Sequence, residues 1–265
     1  MNMKIKIIIL GLGLLFTALV NSSEPTTNNI LVLKVGINQI TAEFFSYQGS
    51  NDHLTPSFDD DIKKMNKLLA EVITSESMSA IEHNGILRAW SGFKTNLNQH
   101  LTQRSFTNAH TVKDMLQQKS LFLGELEHYE SAIELSPSDW KTFAYLQSIT
   151  LTKIIEKYSK LSALPYQLTT SDLSELMAFF REFDTNLDLL KEIIVSGSPD
   201  EQRQIKKIML KWNFIKPTIA NFPKKQAAPY IVARYGNDII NKLMSIEVNA
   251  ISVSGNNFEM IVSEI

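Results

Sequence analysis

The spacing of apolar residues between positions 109 and 134 constrains the fold of this chain more than any other feature. These side chains recur at steps of three, four or seven residues: Val112, Met115, Phe122, Leu126, Tyr129 and Ile133. Because an α-helix turns once every ~3.6 residues, such steps place all of them on one face. Only Lys119 interrupts the stripe. The segment is predicted to be a helix that lies nearly parallel to a neighbour, as in a helical bundle.

Helix-start signals divide the rest of the chain into similar segments. The clearest is Ser198-Pro199-Asp200-Glu201, which combines a serine cap, a proline at the first helical position and a glutamate three residues after the cap. We predict eight helices, over residues 30–48, 58–75, 79–103, 109–134, 137–162, 170–195, 199–222 and 227–251. Pro217 and Pro223 are expected to kink or end the seventh helix. A strand is an open alternative only for Ile30–Val35 and Phe258–Val262.

Short connections between the predicted helices favour antiparallel neighbours, so the expected fold is an all-α antiparallel helical bundle. Two tandem four-helix units are expected, because Trp90 and Lys94 recur as Trp212 and Lys216, 122 residues later. The same shift aligns further apolar residues: Phe58 with Phe180, Met65 with Leu187, Leu68 with Leu190 and Val72 with Ile194. The alternative is that any two amphipathic helices align through apolar spacing alone. The expected units are residues 23–135 and 136–251, followed by a loosely held tail at 252–265.

Residues 1–22 have the layout of a secretory signal peptide. Lys4 and Lys6 precede an apolar run from Ile7 to Val20, and cleavage is expected after Ser22. The run is shorter than the ~20 residues that a membrane-spanning helix needs, and an uncleaved anchor is the alternative. We expect a periplasmic or secreted protein that is not an integral membrane protein after cleavage. Because the chain has no cysteine, it has to fold without disulfides in that oxidising compartment.

Tandem all-helical modules behind an export segment resemble the periplasmic PilJ-type module, which occurs in transducers linked to type IV pili and in nitrate-responsive sensors. In the first predicted helix, Gly36-Ile37-Asn38-Gln39-Ile40-Thr41 lies where that family carries a Gly-Arg-Gln-Arg-Met-Leu core. The resemblance implies a periplasmic helical module with a role in a pilus-related or signalling assembly. Both arginines of the family's core are absent here, so it does not imply a nitrate-type ligand site.

The sequence contains no recognised catalytic constellation. It lacks cysteine, a Gly-x-Ser-x-Gly elbow, a glycine-rich phosphate loop and a His-Glu-x-x-His helix. Glu125 and His128 match one half of a di-iron motif, but a second Glu-x-x-His is missing. Asp59-Asp60-Asp61 lie in a predicted first helical turn, where negative charge offsets the helix dipole, rather than in a calcium loop. We therefore expect a non-catalytic protein without metal or cofactor.

The most uneven charge distribution lies between positions 203 and 225. This segment holds seven cations and no acidic residue, in a chain whose net charge is −2. Arg203, Lys206, Lys207 and Lys211 share or flank one helical face and are the candidate partner-binding residues, whereas Trp212 is expected in the core. The expected partner is an envelope protein or an anionic envelope surface, and export makes nucleic acid the least expected anion. The alternative is a solvated helix face beside acidic neighbours.

Arg234 stands among apolar residues in the last predicted helix and is expected to be partly buried. A buried guanidinium needs a carboxylate or several carbonyl partners, so an internal ion pair and a ligand contact are the two interpretations. The second makes Arg234 the candidate residue of a small-ligand sensor or carrier with a cleft between helices. A closed apolar interior would favour the partner-binding function, whereas a roomy polar-lined cavity would favour the ligand-binding one.

Overall fold

The structure is a computed structural model that describes residues 24–48, 58–74, 80–102, 109–131, 140–164, 169–193, 198–224 and 227–245. Within these ranges the chain forms eight α-helices and no strand: α1 (Glu24–Gln48), α2 (Asp59–Ile73), α3 (Ala80–Thr102), α4 (Ala109–Ser131), α5 (Trp140–Ala163), α6 (Thr170–Ile193), α7 (Pro199–Ala220) and α8 (Pro229–Ser245). The all-α prediction is confirmed, and Ile30–Val35, where a strand was the alternative, is helical. The predicted signal peptide at 1–22 and tail at 252–265 lie outside the described residues.

Helix α7 begins as its sequence predicts. The Ser198 hydroxyl accepts a hydrogen bond from the Glu201 backbone N–H at 3.3 Å, and the Glu201 carboxylate accepts one from the Ser198 N–H at 2.7 Å. This reciprocal pair satisfies two backbone donors that a helix start leaves unpaired. Pro217 does not end the helix, which continues to Ala220. Because Pro217 lies in the last turn, it removes the partner of only one carbonyl, that of the exposed residue Asn213.

The helices α1 and α5 pack against each other at the centre of the described structure. Helix α2 packs on α1 and α6 packs on α5, while α3 pairs with α4 and α7 pairs with α8. Helix α8 contacts both α5 and α1, and α4 contacts α1. In the described ranges, no helix combines the length and the apolar character needed to cross a membrane.

Buried apolar side chains form two clusters. One comes mainly from α1 to α4 and contains Trp90 and Phe122, whose rings lie 5.6 Å apart. The other comes mainly from α5 to α8 and contains Trp212, whose ring lies 4.7 Å from that of Phe183. Val35 of α1 belongs to the second cluster, so the two cores meet along the central helices. The division into units 23–135 and 136–251 stays a prediction.

The two tryptophans make the same kind of hydrogen bond to the preceding helix. Trp90 Nε1 donates to Asn66 Oδ1 on α2, and Trp212 Nε1 donates to Asp184 Oδ1 on α6, both at 2.7 Å. In both helices, the lysine one turn after the tryptophan donates to the same acceptor oxygen. Asn66 and Asp184 lie 118 residues apart, whereas the tryptophans lie 122 apart. If α2 and α6 are aligned on these two acceptor residues, the offset differs by about one helical turn from the 122-residue shift that the sequence predicts.

Gly236 allows α8 to lie close to α5. A Cβ atom added at this position would lie 2.4 Å from Cδ1 of Ile155, a separation that packed carbon atoms do not adopt. Ile155 is fully buried, so it cannot turn away without disturbing the second cluster. The glycine is therefore required by the packing of these two helices.

We expect Gly236→Ala to lower the free energy of unfolding by about 1–3 kcal/mol, because the added methyl group overpacks this contact. The matched control is Gly124→Ala on α4, where an added Cβ has no atom within 4 Å. The control should raise the stability by up to ~1 kcal/mol through helix propensity. Urea denaturation followed by circular dichroism measures both changes. Equal effects of the two substitutions would contradict the close approach of α8 and α5.

Candidate functional site

Acidic neighbours neutralise part of the predicted basic face of α7. Arg203 Nη1 lies 3.1 Å from Asp200 Oδ1, one turn earlier on the same helix. Lys211 Nζ lies 2.6 Å from Asp238 Oδ2 on α8, and the Lys211 side chain is half-buried. These two cations have acidic neighbours, as the alternative interpretation expects, and their role in partner binding stays a prediction.

The other two candidates, Lys206 and Lys207, lie beside exposed apolar side chains. Both lysines are exposed, and neither forms an ion pair within the part of the chain that the structure describes. Leu210 is 71% exposed and Phe214 is 56% exposed. Because Leu210 and Phe214 follow Lys206 at steps of four residues, they continue the same stripe along the helix. We call these four residues the α7 surface.

The apolar members of the α7 surface were not predicted, although the sequence carries a signal for them. The buried stripe of α7 consists of Ile205, Ile208, Trp212, Ile215 and Ile219. Leu210 and Phe214 are out of phase with this stripe, so they cannot face the same core. The Phe214 ring instead contacts the Tyr235 ring of α8, with centroids 4.7 Å apart. The sequence signal for this surface was therefore the presence of two large apolar residues that do not fall on the buried stripe of α7.

The expected partial burial of Arg234 is wrong, because this side chain is exposed. Its sequence neighbours Tyr230 and Ile231 are apolar but are themselves exposed. The buried face of α8 consists of other residues: Pro229, Val232, Ala233, Gly236, Ile239, Ile240 and Leu243. Arg234 therefore lies on the outer side of α8, and it does not line the cavity beside that helix.

A partly enclosed cavity of about 290 Å³ lies between α1, α2 and α8. Its polar lining comes from all three helices: Gln39, Glu43, Asp61, Lys64, Asn237 and Asn241. Gln39 Nε2 donates to Asn237 Oδ1 at 3.3 Å and thereby joins α1 to α8. Gly36 contributes to the wall, where an added Cβ would lie 2.4 Å from Met65 Sδ. The glycine thus lets the Met65 side chain lie against α1.

Two carboxyl groups of the cavity have raised pKa values. Burial, followed by the negative charge of Asp61, raises the pKa of Glu43 above its usual range. Burial also raises the pKa of Asp61, with Asp60 acting in the same direction and Lys64 opposing it. The charged forms of these two groups are therefore disfavoured by their surroundings in the folded chain.

Glu125 and His128 lie on α4 against α3, where His128 Nε2 is 3.8 Å from Glu82 Oε1. No group of three or more His, Cys, Asp or Glu side chains is placed to hold a metal ion within the described ranges. Asp59, Asp60 and Asp61 form the first turn of α2, which is the position predicted for them.

Comparisons with known proteins add no assignment to these sites. No protein family, curated protein or solved structure matches the chain. The resemblance of residues 36–41 to the PilJ-type module therefore stays a prediction. In the structure this segment belongs to α1, and Gly36, Gln39 and Ile40 line the cavity.

Proposed function

We propose that this chain is an exported, non-catalytic binding protein that docks on an anionic lipid surface of the cell envelope through the α7 surface. The observation that carries this proposal is the combination of two exposed lysines with two large exposed apolar side chains on one stripe of a helix. The predicted signal peptide supports it, since export would bring the protein to the envelope.

The two kinds of side chain act on different parts of a bilayer. Each lysine near an anionic membrane surface contributes roughly 1 kcal/mol of attraction. Leu210 and Phe214 can enter the boundary between headgroups and acyl chains, where burying such a side chain contributes about 1.5–3 kcal/mol. Together these contributions support reversible attachment of the folded protein to the surface. They do not require a membrane-spanning segment.

A comparison within the chain supports a functional origin of this surface. We propose that α3 and α7 are equivalent helices of two related units, aligned on Trp90 and Trp212. The core residue Ile86 then corresponds to Ile208, and both are fully buried. In contrast, the positions of the α7 surface correspond on α3 to Asn84, Gly85, Arg88 and Gly92. At these four positions α3 therefore carries neither lysines nor large apolar side chains, although it exposes Ile81 and Leu87 elsewhere.

We expect Lys206→Glu/Lys207→Glu to reduce binding to vesicles of phosphatidylglycerol and phosphatidylcholine at least tenfold, because it reverses both unpaired charges. Cosedimentation measures the bound fraction, and circular dichroism should show unchanged helicity. Binding of the unaltered protein should weaken in high salt and be absent with pure phosphatidylcholine vesicles. The double variant Leu210→Ser/Phe214→Ser should also bind weakly.

The matched control is Lys67→Glu/Lys113→Glu, which makes the same change in net charge at exposed positions on α2 and α4. Equal loss of binding in the control would contradict a localised docking surface. Failure of the unaltered protein to bind anionic vesicles would contradict the lipid partner. If the α7 variant then lost capture of an acidic envelope protein, that protein would replace lipid as the partner.

The polar-lined cavity favours a second function, that of a small-ligand sensor or carrier. The cavity lies between α1, α2 and α8, on helices other than the one that carries the α7 surface. The two functions therefore rest on separate residues and can be tested separately.

A further inference from the structure

We propose that the cavity between α1, α2 and α8 binds a small aliphatic amine, with its ammonium group between Glu43 and Asp61 and its hydrocarbon part against Met65, Leu68 and Met244. This inference rests on the second function proposed above and names its ligand class. All five residues line the cavity. Its volume of about 290 Å³ is close to the lower end of the ~300–1,000 Å³ typical of small-molecule sites.

The charges of the lining favour a cation. Glu43 and Asp61 oppose a single lysine, Lys64, so the ionised lining has an excess of negative charge. In the absence of a ligand, burial disfavours both carboxylates, and the charge of Asp61 adds to this effect at Glu43. An ammonium group placed between them offsets this cost and donates charge-assisted hydrogen bonds to the carboxylate oxygens. The amides of Asn237 and Asn241 remain available for a second polar group on the ligand.

In the second half of the chain, polar and aromatic side chains bridge the helices α5 and α6. There, Thr150 Oγ1 on α5 donates to Glu182 Oε1 on α6 at 2.9 Å. One turn along α5, the Lys153 ammonium lies 5.4 Å from the centre of the Phe179 ring. Side chains therefore connect α5 to α6, whereas α1 and α2 leave a cavity with an acidic lining. The packing of two helices in this arrangement does not by itself require the cavity.

The carboxyl groups of Glu43 and Asp61 also make the stability of the ligand-free protein depend on pH. The pKa values of Glu43 and Asp61 are raised in the folded chain. For each group, the folded state therefore binds more protons than the unfolded state at any pH between its unfolded-state pKa and its folded-state pKa. Stability contributed by these groups is therefore lost as the pH rises through that window. Asp61 acts on Glu43, and Asp60 and Lys64 act on Asp61. Tyr47, one turn after Glu43 on α1, has its own pKa raised by burial and by the charge of Glu43. We expect Glu43→Gln to raise the melting temperature at pH 7, because it removes a disfavoured charge.

Isothermal titration calorimetry with 1,4-diaminobutane and n-butylamine at pH 7 tests the proposal. We expect both amines to bind, and succinate, a dianion of similar length, not to bind. Glu43→Gln and Asp61→Asn should each weaken amine binding at least tenfold, through loss of a charge-assisted hydrogen bond. Binding should also weaken as the pH falls and the two carboxyl groups take up protons.

The matched control is Asp60→Asn, because Asp60 is next to Asp61 but does not line the cavity, and its side chain is fully exposed. It should change amine affinity less than twofold. The proposal is overturned if neither amine binds the unaltered protein, or if Glu43→Gln and Asp61→Asn bind amines as well as the control does. Binding of Ca²⁺ or Mg²⁺ without binding of amines would replace the amine by a metal. Loss of vesicle binding in the α7 variants has no bearing on these outcomes.

Discussion

Trp212→Ala should lower the free energy of unfolding by about 3–5 kcal/mol, which is the usual loss when a buried large aromatic side chain is removed. The Trp212 side chain is 2% exposed and packs between the rings of Phe180 and Phe183, at 5.5 and 4.7 Å. Its indole N–H also donates to Asp184, which receives the Lys216 ammonium at 2.7 Å. The substitution thus removes both apolar packing and one donor from a polar contact between α6 and α7.

Two further substitutions separate these contributions. Trp212→Phe keeps most of the apolar volume but removes the indole donor, so a smaller loss of about 1–3 kcal/mol is expected. Leu210→Ala, two positions away on the exposed side of α7, should change stability by less than ~0.5 kcal/mol. Urea denaturation measures all three. An unchanged midpoint for Trp212→Ala would place this side chain outside the core and contradict the second cluster.

The helices were predictable because local and long-range signals agree in this chain. The capping pattern at Ser198 and the proline at 199 fix the start of α7, and its isoleucines follow at helical steps. Because an amphipathic helix buries its apolar face whatever its partner, these patterns identify the core without knowledge of the packing. The burial of Trp90 and Trp212 follows from the same reasoning.

The candidate sites depend on information that the local sequence does not carry. Arg234 was expected to be partly buried because of its apolar neighbours, but it lies on the exposed side of α8 while Val232 and Ala233 next to it face the core. The cavity brings together Gln39 and Asn237, which are 198 residues apart. Whether such residues meet depends on how α1 packs against α8. The spacing of residues within a single helix does not predict this packing. Gly36, a glycine within a helix, was a local indication of the close approach between α1 and Met65 of α2 at this cavity.

The sequence pattern also left the role of Lys119 unexplained, because this lysine interrupts the apolar stripe of α4. The structure buries this lysine, which is 7% exposed, and pairs its ammonium with the carboxylate of Glu156 on α5. Burial lowers the pKa of Lys119, and the charge of Glu156 opposes that effect. A second pair of the same kind, Lys34 with Glu130, joins α1 to α4. Helix α4 is therefore held to both central helices by buried ion pairs.

Glu156→Gln should lower the free energy of unfolding by about 3–5 kcal/mol at pH 7, because it leaves the buried charge of Lys119 without its carboxylate. Replacing both partners, in Lys119→Met/Glu156→Gln, should recover most of the loss, since no buried charge remains at this contact. The matched control is Glu127→Gln, which changes the charge in the same way at an exposed position of α4. Its effect should stay within ~0.5 kcal/mol.

The pH dependence distinguishes a buried charge from a loss of packing. Because the folded-state pKa of Lys119 is lowered, the folded chain binds fewer protons than the unfolded chain between that pKa and 10.5. Stability therefore rises with pH in this window, and more steeply in Glu156→Gln, where the opposing charge is gone. The deficit of Glu156→Gln should shrink between pH 7 and pH 10, while the double variant shows no such trend. A deficit that is constant with pH would mean that Glu156 stabilises the fold through packing, and that the ammonium of Lys119 reaches water.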